Sequence, residues 1–374
     1  MPFALDAYLA RTGASAEPPS LAALRALQTA HVRTFAFDDV DVLLGQHPGV
    51  GLDAVAEKFV DRGRGGYCFE HATLLHAVVT ALGYDAQLRL ARVGDPQQAP
   101  RTHLAVVVTI DGTRYLSDPG IGVPPLGPIE LRDGARLEGG IWEHEIRRVD
   151  EGGAGPAWQL WRQRAKGWEL MHSTDELPVR PVDVVMGHHY TSTHPASHFT
   201  RTLTVARHHV DADGRRVHMT LTLDGLQIRR AGEETQLREV ADEEIPEVCE
   251  EIGAHLTGDE GGRLVERVRE LRAGGLAGDE PLVVEVEEIP VGTLVPGTRN
   301  DAQLETVKGL DAVLQEGSVD LDKDVLADPD LGVRCDAEDA SVIRSVVDLA
   351  QGETIPDSGD AQLVPVLHNV SGIQ

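Results

Sequence analysis

The spacing of the apolar residues changes near residue 87, and no other feature of this sequence limits the possible folds as strongly. Before this point apolar residues recur at helical spacing, most clearly after Cys68, where they are Leu74, Leu75, Val78, Val79 and Leu82. After it come β-rich runs such as "QLRLARV" and "LAVVVTI". A helical first part, a β-rich middle and a smaller mixed segment predict an α+β fold.

Local signals mark the ends of several predicted elements. Ser20 precedes a helical run and is typical of an N-cap, while Gly83 predicts the end of the helix that follows Cys68. The pair Asp111–Gly112 between two β-rich runs predicts a two-residue hairpin turn, and "DADG" predicts a second hairpin. We also expect strands in "WQLWRQ" and "GWELMHS" and a helix in "EEIPEVCEEIGAHL".

The charge of the chain is negative and unevenly distributed. A net charge of −27 argues against a nucleic-acid partner, because phosphate binding needs clusters of basic residues. Residues 275–374 hold 21 Asp and Glu against 5 Lys and Arg, and the last aromatic residue of the whole chain is Phe199. These residues are therefore predicted to form an acidic extension, and both a solvated tail and a module that docks a protein partner remain open.

Several cellular settings are disfavoured by the sequence. The first residues lack the basic and apolar regions of a signal peptide, and no run approaches the roughly 18 apolar residues of a membrane span. The three cysteines, Cys68, Cys249 and Cys335, are widely spaced and form no CxxC pair. We expect a cytoplasmic protein without a disulfide framework, and the histidine pairs at 188–189 and 208–209 have no companions at a metal-ligand spacing, so no metal site is predicted.

Cys68 occupies an unusual position for a lone cysteine. It begins the predicted helix, where unpaired N–H groups and the positive end of the helix dipole favour a thiolate over a thiol. The glycines before it, Gly63, Gly65 and Gly66, allow a sharp turn and leave the sulfur accessible. A buried packing cysteine is the alternative, and a nucleophile would also need a base and a group that orients this base.

The first hairpin supplies candidates for both groups. If Asp111–Gly112 is the turn, Asp118 lies opposite Ala105, and His103 points to the same face as Ala105 because side chains alternate along a strand. His103 and Asp118 then become diagonal neighbours within side-chain reach. A carboxylate in that place can hold the tautomer of an imidazole and support its positive charge.

The same residues carry a resemblance to a known family. "RGGYCFE" (64–70), "RTHLAVVV" (101–108) and "YLSDPGIG" (115–122) resemble the three signature segments of the arylamine N-acetyltransferases. "FAFDDVDVLLG" (35–45) and "YTSTHPASHF" (190–199) resemble further segments of that family. The resemblance covers about residues 3–270, in order and at suitable spacing.

The resemblance implies a fold similar to the papain-like cysteine proteases. It implies four parts: a helical bundle at 1–85 with the nucleophile, a β-barrel at 86–185 with the histidine and aspartate, an α/β lid at 186–274, and an extension at 275–374. The extension has no counterpart in the typical enzyme of the family.

The resemblance also implies roles for individual residues. Cys68 would accept an acetyl group, His103 would act as the base and Asp118 would orient it. Arg64 and Asp38 match an internal ion pair of the family that braces the site.

The implied substrates are acetyl-CoA as acyl donor, with no bound cofactor, and an arylamine or arylhydrazine as acceptor. Pocket walls carried over from the family are Phe37, Tyr67, Ile121 and Phe199, and Ile121 stands where many members have phenylalanine.

Three other functions remain open at the level of sequence. An amide synthase of the same fold family would use the same three residues on a carrier-bound acyl chain in natural-product biosynthesis. A transglutaminase-like peptidase also uses cysteine, histidine and aspartate, but "RGGYCFE" and "STHPASHF" fit the acetyltransferases better. In a catalytically idle binding protein the acidic extension would be the working part.

Overall fold

The computed structural model describes residues 4–150 and 156–273. The acidic extension predicted at 275–374 lies outside the described residues. None of the helices in the described part of the chain has the length and apolar character that a membrane crossing requires.

Helices dominate the described residues before position 85. They are α1 (Leu5–Thr12), α2 (Leu21–Thr34), α3 (Val40–Leu43), α4 (Leu52–Ala56, continued by a π-helical turn at Glu57–Asp61) and α5 (Cys68–Ala81), with a short strand β1 (Phe37–Asp38) between α2 and α3. The predicted N-cap is confirmed, since Ser20 Oγ accepts a hydrogen bond from the Ala23 N–H at 3.2 Å. The predicted end of α5 is confirmed too, with Gly83 at a φ of 89°.

Eight antiparallel strands form a nearly closed barrel. They are β2 (Asp85–Val93), β3 (His103–Ile110), β4 (Thr113–Ser117), β5 (Ile129–Glu130), β6 (Arg136–Leu137), β7 (His144–Asp150), β8 (Pro156–Arg164) and β9 (Gly167–Thr174). Their order in the sheet is β5-β4-β3-β2-β9-β8-β7-β6, and the two edge strands β5 and β6 contact each other. Closure of this kind leaves little open sheet edge.

The hairpin of β3 and β4 has the predicted register. Ile110 pairs with Thr113, and the two turn residues have φ values of 50° (Asp111) and 78° (Gly112). Positive φ at both central positions is the type I′ geometry, which matches the twist of the flanking strands and suits Asp-Gly. The turn fixes His103 at one end of β3 and leaves Asp118 just beyond the end of β4, at the same end of the barrel.

A second sheet of five strands has the order β1-β10-β11-β12-β13. Its later strands are β10 (Thr204–Val210), β11 (Arg216–Thr222), β12 (Gly225–Arg230) and β13 (Gln236–Arg238), so the predicted "DADG" hairpin is confirmed. The helices of this region are α6 (Pro181–Thr193), α7 (Ile245–Ile252) and α8 (Gly258–Ala273), of which α8 has no counterpart among the sequence predictions. Since β1 pairs with β10, N-terminal residues contribute to this sheet, and the division into domains at 85, 185 and 274 stays a prediction.

The core explains why β3 is an uninterrupted apolar run. Alternate residues of β3, namely Leu104, Val106 and Val108, pack against the apolar face of α5. The residues between them, Ala105 and Val107, pack inside the barrel. Both faces of β3 are therefore buried, and α5 is held against the strand that begins with His103.

Candidate active site

The helix start at Cys68 is tightly organised. Cys68 is the first residue of α5 and is 3% exposed. The main-chain N–H of Tyr67, the residue before Cys68, donates to Glu70 Oε2 at 3.1 Å. A side chain of α5 itself therefore caps the N-terminus of this helix. The Cys68 thiol donates a long hydrogen bond to the Thr102 carbonyl oxygen, with Sγ and O 3.7 Å apart. The sulfur thus lies beside the residue that precedes His103.

The segment after β4 crosses directly over the start of α5. A Cβ atom at Gly120 would lie 2.8 Å from the Cys68 Cα and 3.0 Å from the Cys68 carbonyl oxygen. Any side chain at Gly120 would therefore push this segment away from Cys68 and carry Asp118 with it. Close approach of the two backbones brings the carboxylate and the sulfur into one site.

His103 and Asp118 form the pair that the hairpin register predicts. His103 Nε2 donates to Asp118 Oδ2 at 2.8 Å, and both side chains are buried. The other carboxylate oxygen, Oδ1, accepts from the Gly120 N–H at 3.2 Å. This use of Nε2 leaves His103 Nδ1 as the ring nitrogen for Cys68.

A third side chain, His172 on β9, joins the pair. Its Nε2 donates to the same Asp118 Oδ2 at 3.0 Å, and its ring centroid lies 4.9 Å from that of His103. Asp118 Oδ2 therefore accepts two hydrogen bonds from histidines on different strands. Within the described residues, the ligand atoms of His103, Asp118 and His172 also lie within 4.8 Å of one another, the spacing of a metal-binding group.

Burial and the neighbouring charges shift the pKa values of His103 and His172 in opposite directions. Burial alone would lower the pKa of His103, but the charge of Asp118 and hydrogen bonds with Asp118 and Cys68 raise it to about 10. Burial lowers the pKa of His172, and the positive charge of His103 lowers it further. The pKa of Asp118 is lowered despite its burial, by the charge and hydrogen bond of His103 and by the hydrogen bond of His172. The site therefore favours a cationic His103, a neutral His172 and an ionised Asp118.

His172 was absent from the sequence predictions. It follows apolar residues in a strand assigned correctly as "GWELMHS", but nothing local indicates which strand lies next to it. The structure pairs Val93 of β2 with His172, and β2 also pairs with β3. Only this barrel order brings His172 beside His103.

A network of buried charged side chains lies next to the N-terminus of α5. Lys58 Nζ lies 2.8 Å from Asp41 Oδ2 and 2.8 Å from Glu70 Oε1, and Lys58 and Glu70 are 1% and 0% exposed. His47 Nε2 lies 3.2 Å from the other oxygen of Glu70. Because Glu70 also accepts the Tyr67 N–H, the network holds the turn from which Cys68 projects.

Within the described residues Arg64 and Asp38 form no direct ion pair, although the charge of Asp38 helps to raise the pKa of Arg64 against the effect of burial. The guanidinium of Arg64 instead lies 3.1 Å from Asp41 Oδ1 and 3.1 Å from Glu260 Oε1. Asp38 accepts a hydrogen bond from the Val40 N–H at 3.3 Å, and burial raises its pKa despite the nearby charges of Lys58 and Arg64. The sequence could not reveal the contact between Arg64 and Glu260, because the two residues are 196 positions apart in the chain.

Three of the four predicted pocket residues lie together. The ring centroid of Phe199 lies 6.1 Å from that of Phe37 and 5.4 Å from that of Tyr67. Tyr67 is fully buried, and its hydroxyl contacts His188 Nδ1. Ile121 packs instead against the interior of the barrel.

Comparisons of the sequence with known proteins point to one family. A family model described as N-acetyltransferase matches residues 20–257. The arylamine N-acetyltransferase of Mycolicibacterium smegmatis is 34% identical over 279 residues, which cover 71% of this chain and 98% of that protein. The arylamine N-acetyltransferase of Escherichia coli K12 is 32% identical over 209 residues, covering 54% of this chain and 73% of that protein.

Solved structures agree with the sequence comparisons. The arylamine N-acetyltransferase from Mycobacterium abscessus superposes with a TM-score of 0.65 at 29% identity, covering 71% of this chain and 94% of that one. The Mycobacterium marinum protein, solved in complex with CoA, gives 0.63 at 31% identity, covering 72% and 99%. The predicted fold class, α+β in the papain-like arrangement, is confirmed.

Proposed function

This chain belongs to the arylamine N-acetyltransferase family, and we propose that it transfers an acetyl group from acetyl-CoA to the nitrogen of an arylamine or arylhydrazine. The observation that carries the proposal is the hydrogen bond of 2.8 Å between His103 and Asp118, beside the helix start that presents Cys68. We assign Cys68 as nucleophile, His103 as acid and base, and Asp118 as the group that orients His103.

The first half-reaction moves the acetyl group to the enzyme. Cys68 Sγ attacks the carbonyl carbon of the acetyl-CoA thioester, and the negative charge that develops on the oxygen is stabilised by main-chain N–H groups. The first N–H groups of α5 have no intrahelical acceptor and are suited to this task. The bond from the carbonyl carbon to the CoA sulfur then breaks, and His103 gives its proton to the departing CoA.

The second half-reaction releases the enzyme. The nitrogen of the acceptor attacks the carbonyl carbon of acetyl-Cys68, His103 takes a proton from this nitrogen, and the bond to Cys68 Sγ breaks. An arylamine or arylhydrazine is suited to this step because its nitrogen is largely unprotonated at neutral pH. For the acceptor pocket we propose Phe37 and Phe199 as aromatic walls, backed by the buried Tyr67, with Ile121 on the barrel side.

The covalent intermediate gives the most direct test. After brief exposure to acetyl-CoA without acceptor, intact-mass spectrometry is expected to find one added acetyl group per chain, located on the Cys68 peptide. Addition of p-anisidine or isoniazid should then remove this group and yield the N-acetylated acceptor.

Two cysteine variants serve as the negative and the positive control of this experiment. Cys68→Ala should carry no acetyl group, whereas Cys249→Ala should be acetylated like the wild type, since Cys249 is buried in α7. Acetylation of Cys68→Ala, or product formation by a wild-type enzyme that never carries the acetyl group, would contradict the two-step mechanism.

A second prediction concerns His172, which we assign as a positioning residue acting through Asp118. His172→Phe removes one hydrogen bond to Asp118 Oδ2 and is expected to lower kcat/KM about five- to thirtyfold, from a loss of about 1–2 kcal/mol. With one donor fewer, Asp118 Oδ2 interacts more strongly with His103, so the pKa of His103 and the limb of the pH–rate profile that His103 controls should move to higher pH. Steady-state kinetics between about pH 6 and 11 would measure both effects.

The conservative variant separates positioning from packing. His172→Gln keeps a donor and should bring the activity and the limb controlled by His103 part of the way back to the wild type, while His255→Gln, at a half-exposed surface histidine, should match the wild type. A pH profile unchanged in His172→Phe, with only a loss of stability, would show that His172 acts through packing alone.

A further inference from the structure

A second cavity, distinct from the proposed acceptor pocket, is lined by none of Cys68, His103 and Asp118. It has a volume of about 310 Å³, is partly open to solvent and is bordered by α2, the loop between β6 and β7, and strands β10 and β11. The charged and aromatic side chains of its wall on which the following argument depends are Arg25, Arg33, Trp142, His144, His208 and Arg216. The proposed catalytic mechanism uses none of them.

Three arginines line this cavity, and its wall also contains one acidic residue, Glu138. Arg25 and Arg33 are separated by eight positions on α2 and share one face, and Arg216 approaches from β11. Within the described residues none of the three forms an ion pair, and burial followed by the charge of Arg216 lowers the pKa of Arg33. Glu138, the acidic residue of the wall, pairs with none of them. The cavity therefore carries positive charge that the described protein does not neutralise.

Two buried histidines of the cavity wall have ring nitrogens without hydrogen-bond partners within the described residues. His144 is 2% exposed and lies near the main chain of Val123, yet neither ring nitrogen makes a hydrogen bond of acceptable geometry within the described residues. His208 donates from Nε2 to the Pro124 carbonyl at 3.0 Å, which leaves its buried Nδ1 without a partner. Buried polar groups are seldom left unpaired, so these atoms indicate a missing polar ligand.

The apolar part of the wall and the volume of the cavity indicate the polarity and the size of the ligand. Trp142, Leu126 and Leu137 supply an aromatic and aliphatic surface beside the arginines. At about 30 Å³ for each water molecule, the volume corresponds to roughly ten waters. This is room for a small molecule with an apolar body.

We propose that this cavity is a binding site for a small organic anion, whose carboxylate or phosphate group is held by Arg33 and Arg216 and whose apolar body lies against Trp142. The planar guanidinium groups match the oxygens of either anion in a bidentate manner. Such a ligand offsets the charge of the two arginines and offers an acceptor to the buried Arg33 Nε, which has no hydrogen-bond partner within the described residues.

Isothermal titration calorimetry on the full-length protein tests the site at constant ionic strength, because screening alone changes anion affinity. Benzoate and phenyl phosphate serve as probes for the two anions, inorganic phosphate as a probe without an apolar body, and benzyl alcohol as the neutral counterpart. We expect benzoate or phenyl phosphate to bind with one site per chain and a dissociation constant below about 1 mM. Whichever binds identifies the anionic group, and inorganic phosphate alone should bind more weakly.

Variants locate the binding. Arg33→Gln/Arg216→Gln is expected to weaken binding at least about tenfold, since each lost charge-assisted hydrogen bond contributes measurably to affinity. Arg132→Gln/Arg238→Gln removes the same charge from two exposed arginines and should bind like the wild type. If the first variant does not fold by circular dichroism, Arg216→Gln alone, at an exposed position, takes its place with a smaller expected loss.

Three results would overturn the proposal. One is that neither benzoate nor phenyl phosphate binds at concentrations up to about 10 mM. Another is unchanged affinity in a folded Arg33→Gln/Arg216→Gln or Arg216→Gln variant. The third is equal binding of benzyl alcohol and benzoate, which would mean an apolar cavity without selectivity for anions.

Discussion

Replacement of Asp118 by asparagine is expected to lower kcat/KM by about 10³–10⁴, comparable to the loss of about 10⁴ in kcat when the carboxylate of a Ser-His-Asp triad is made neutral. The asparagine side chain has nearly the same shape, but its amide can present N–H to His103 Nε2 in place of the carboxylate oxygen, which turns the imidazole to the wrong tautomer. The charge that now raises the pKa of His103 to about 10 would also be lost, and burial would then lower that pKa. His103 would remain neutral, with its proton on the nitrogen that faces Cys68.

Kinetics with p-anisidine and acetyl-CoA measure this effect, and the stability of the same variant should be followed in urea. Asp85→Asn, at an exposed position at the start of β2, is the matched control and should retain wild-type kinetics. A folded Asp118→Asn variant with activity within about threefold of the wild type would refute the role assigned to Asp118, because even one lost charged hydrogen bond has a larger effect.

The largest effect on stability is expected for Lys58→Met. Methionine keeps the unbranched shape, but Asp41 and Glu70 lose the ammonium group that lies 2.8 Å from each. Removing one partner from a buried ion pair generally costs about 3–5 kcal/mol, because the charge that remains is neither solvated nor paired. Urea denaturation at pH 7 is expected to show a loss of this size, while Lys166→Met, in an exposed turn, should change stability little.

The pH dependence of stability distinguishes this network from simple packing. Burial alone would raise the pKa values of Asp41 and Glu70, but the charge of Lys58 outweighs it and lowers both to about 2, from 3.8 and 4.5. Carboxyl groups with lowered pKa values stabilise the fold above their unfolded values and lose this contribution as pH falls toward about 2. The difference between the wild type and Lys58→Met should therefore narrow between pH 7 and pH 3.

A double-variant cycle completes the test. Lys58→Met/Glu70→Gln removes both charges and should be less destabilised than the sum of the two single changes, because the residual buried charge is relieved. Additive losses, together with a pH-independent difference from the wild type, would contradict the network as described.

The elements that present the candidate site could be predicted because they are set by local interactions. Helix α5 follows from apolar spacing over 14 residues, and Cys68 at its start follows from the glycines before it. The pairing of His103 with Asp118 follows from one two-residue turn, because the register of a hairpin is decided where it begins. The acidic extension, predicted from composition, lies outside the described residues.

Predictions failed or were missing where contacts join distant parts of the chain. Arg64 contacts Asp41 and Glu260 rather than Asp38, and α8, which carries Glu260, was not predicted because its apolar residues are sparse. The strand with His172 was assigned correctly, yet its place beside β2 depends on the closure of the barrel.

By itself, the sequence determined which side chains carry the proposed chemistry and on which elements they lie, since helical spacing and hairpin register act over a few residues. Only the tertiary structure decided which partners surround them: the second histidine on Asp118, the charges beneath Cys68 and the arginines around the second cavity. These contacts connect residues tens to hundreds of positions apart, and they depend on how sheets and helices pack, which no short-range pattern encodes.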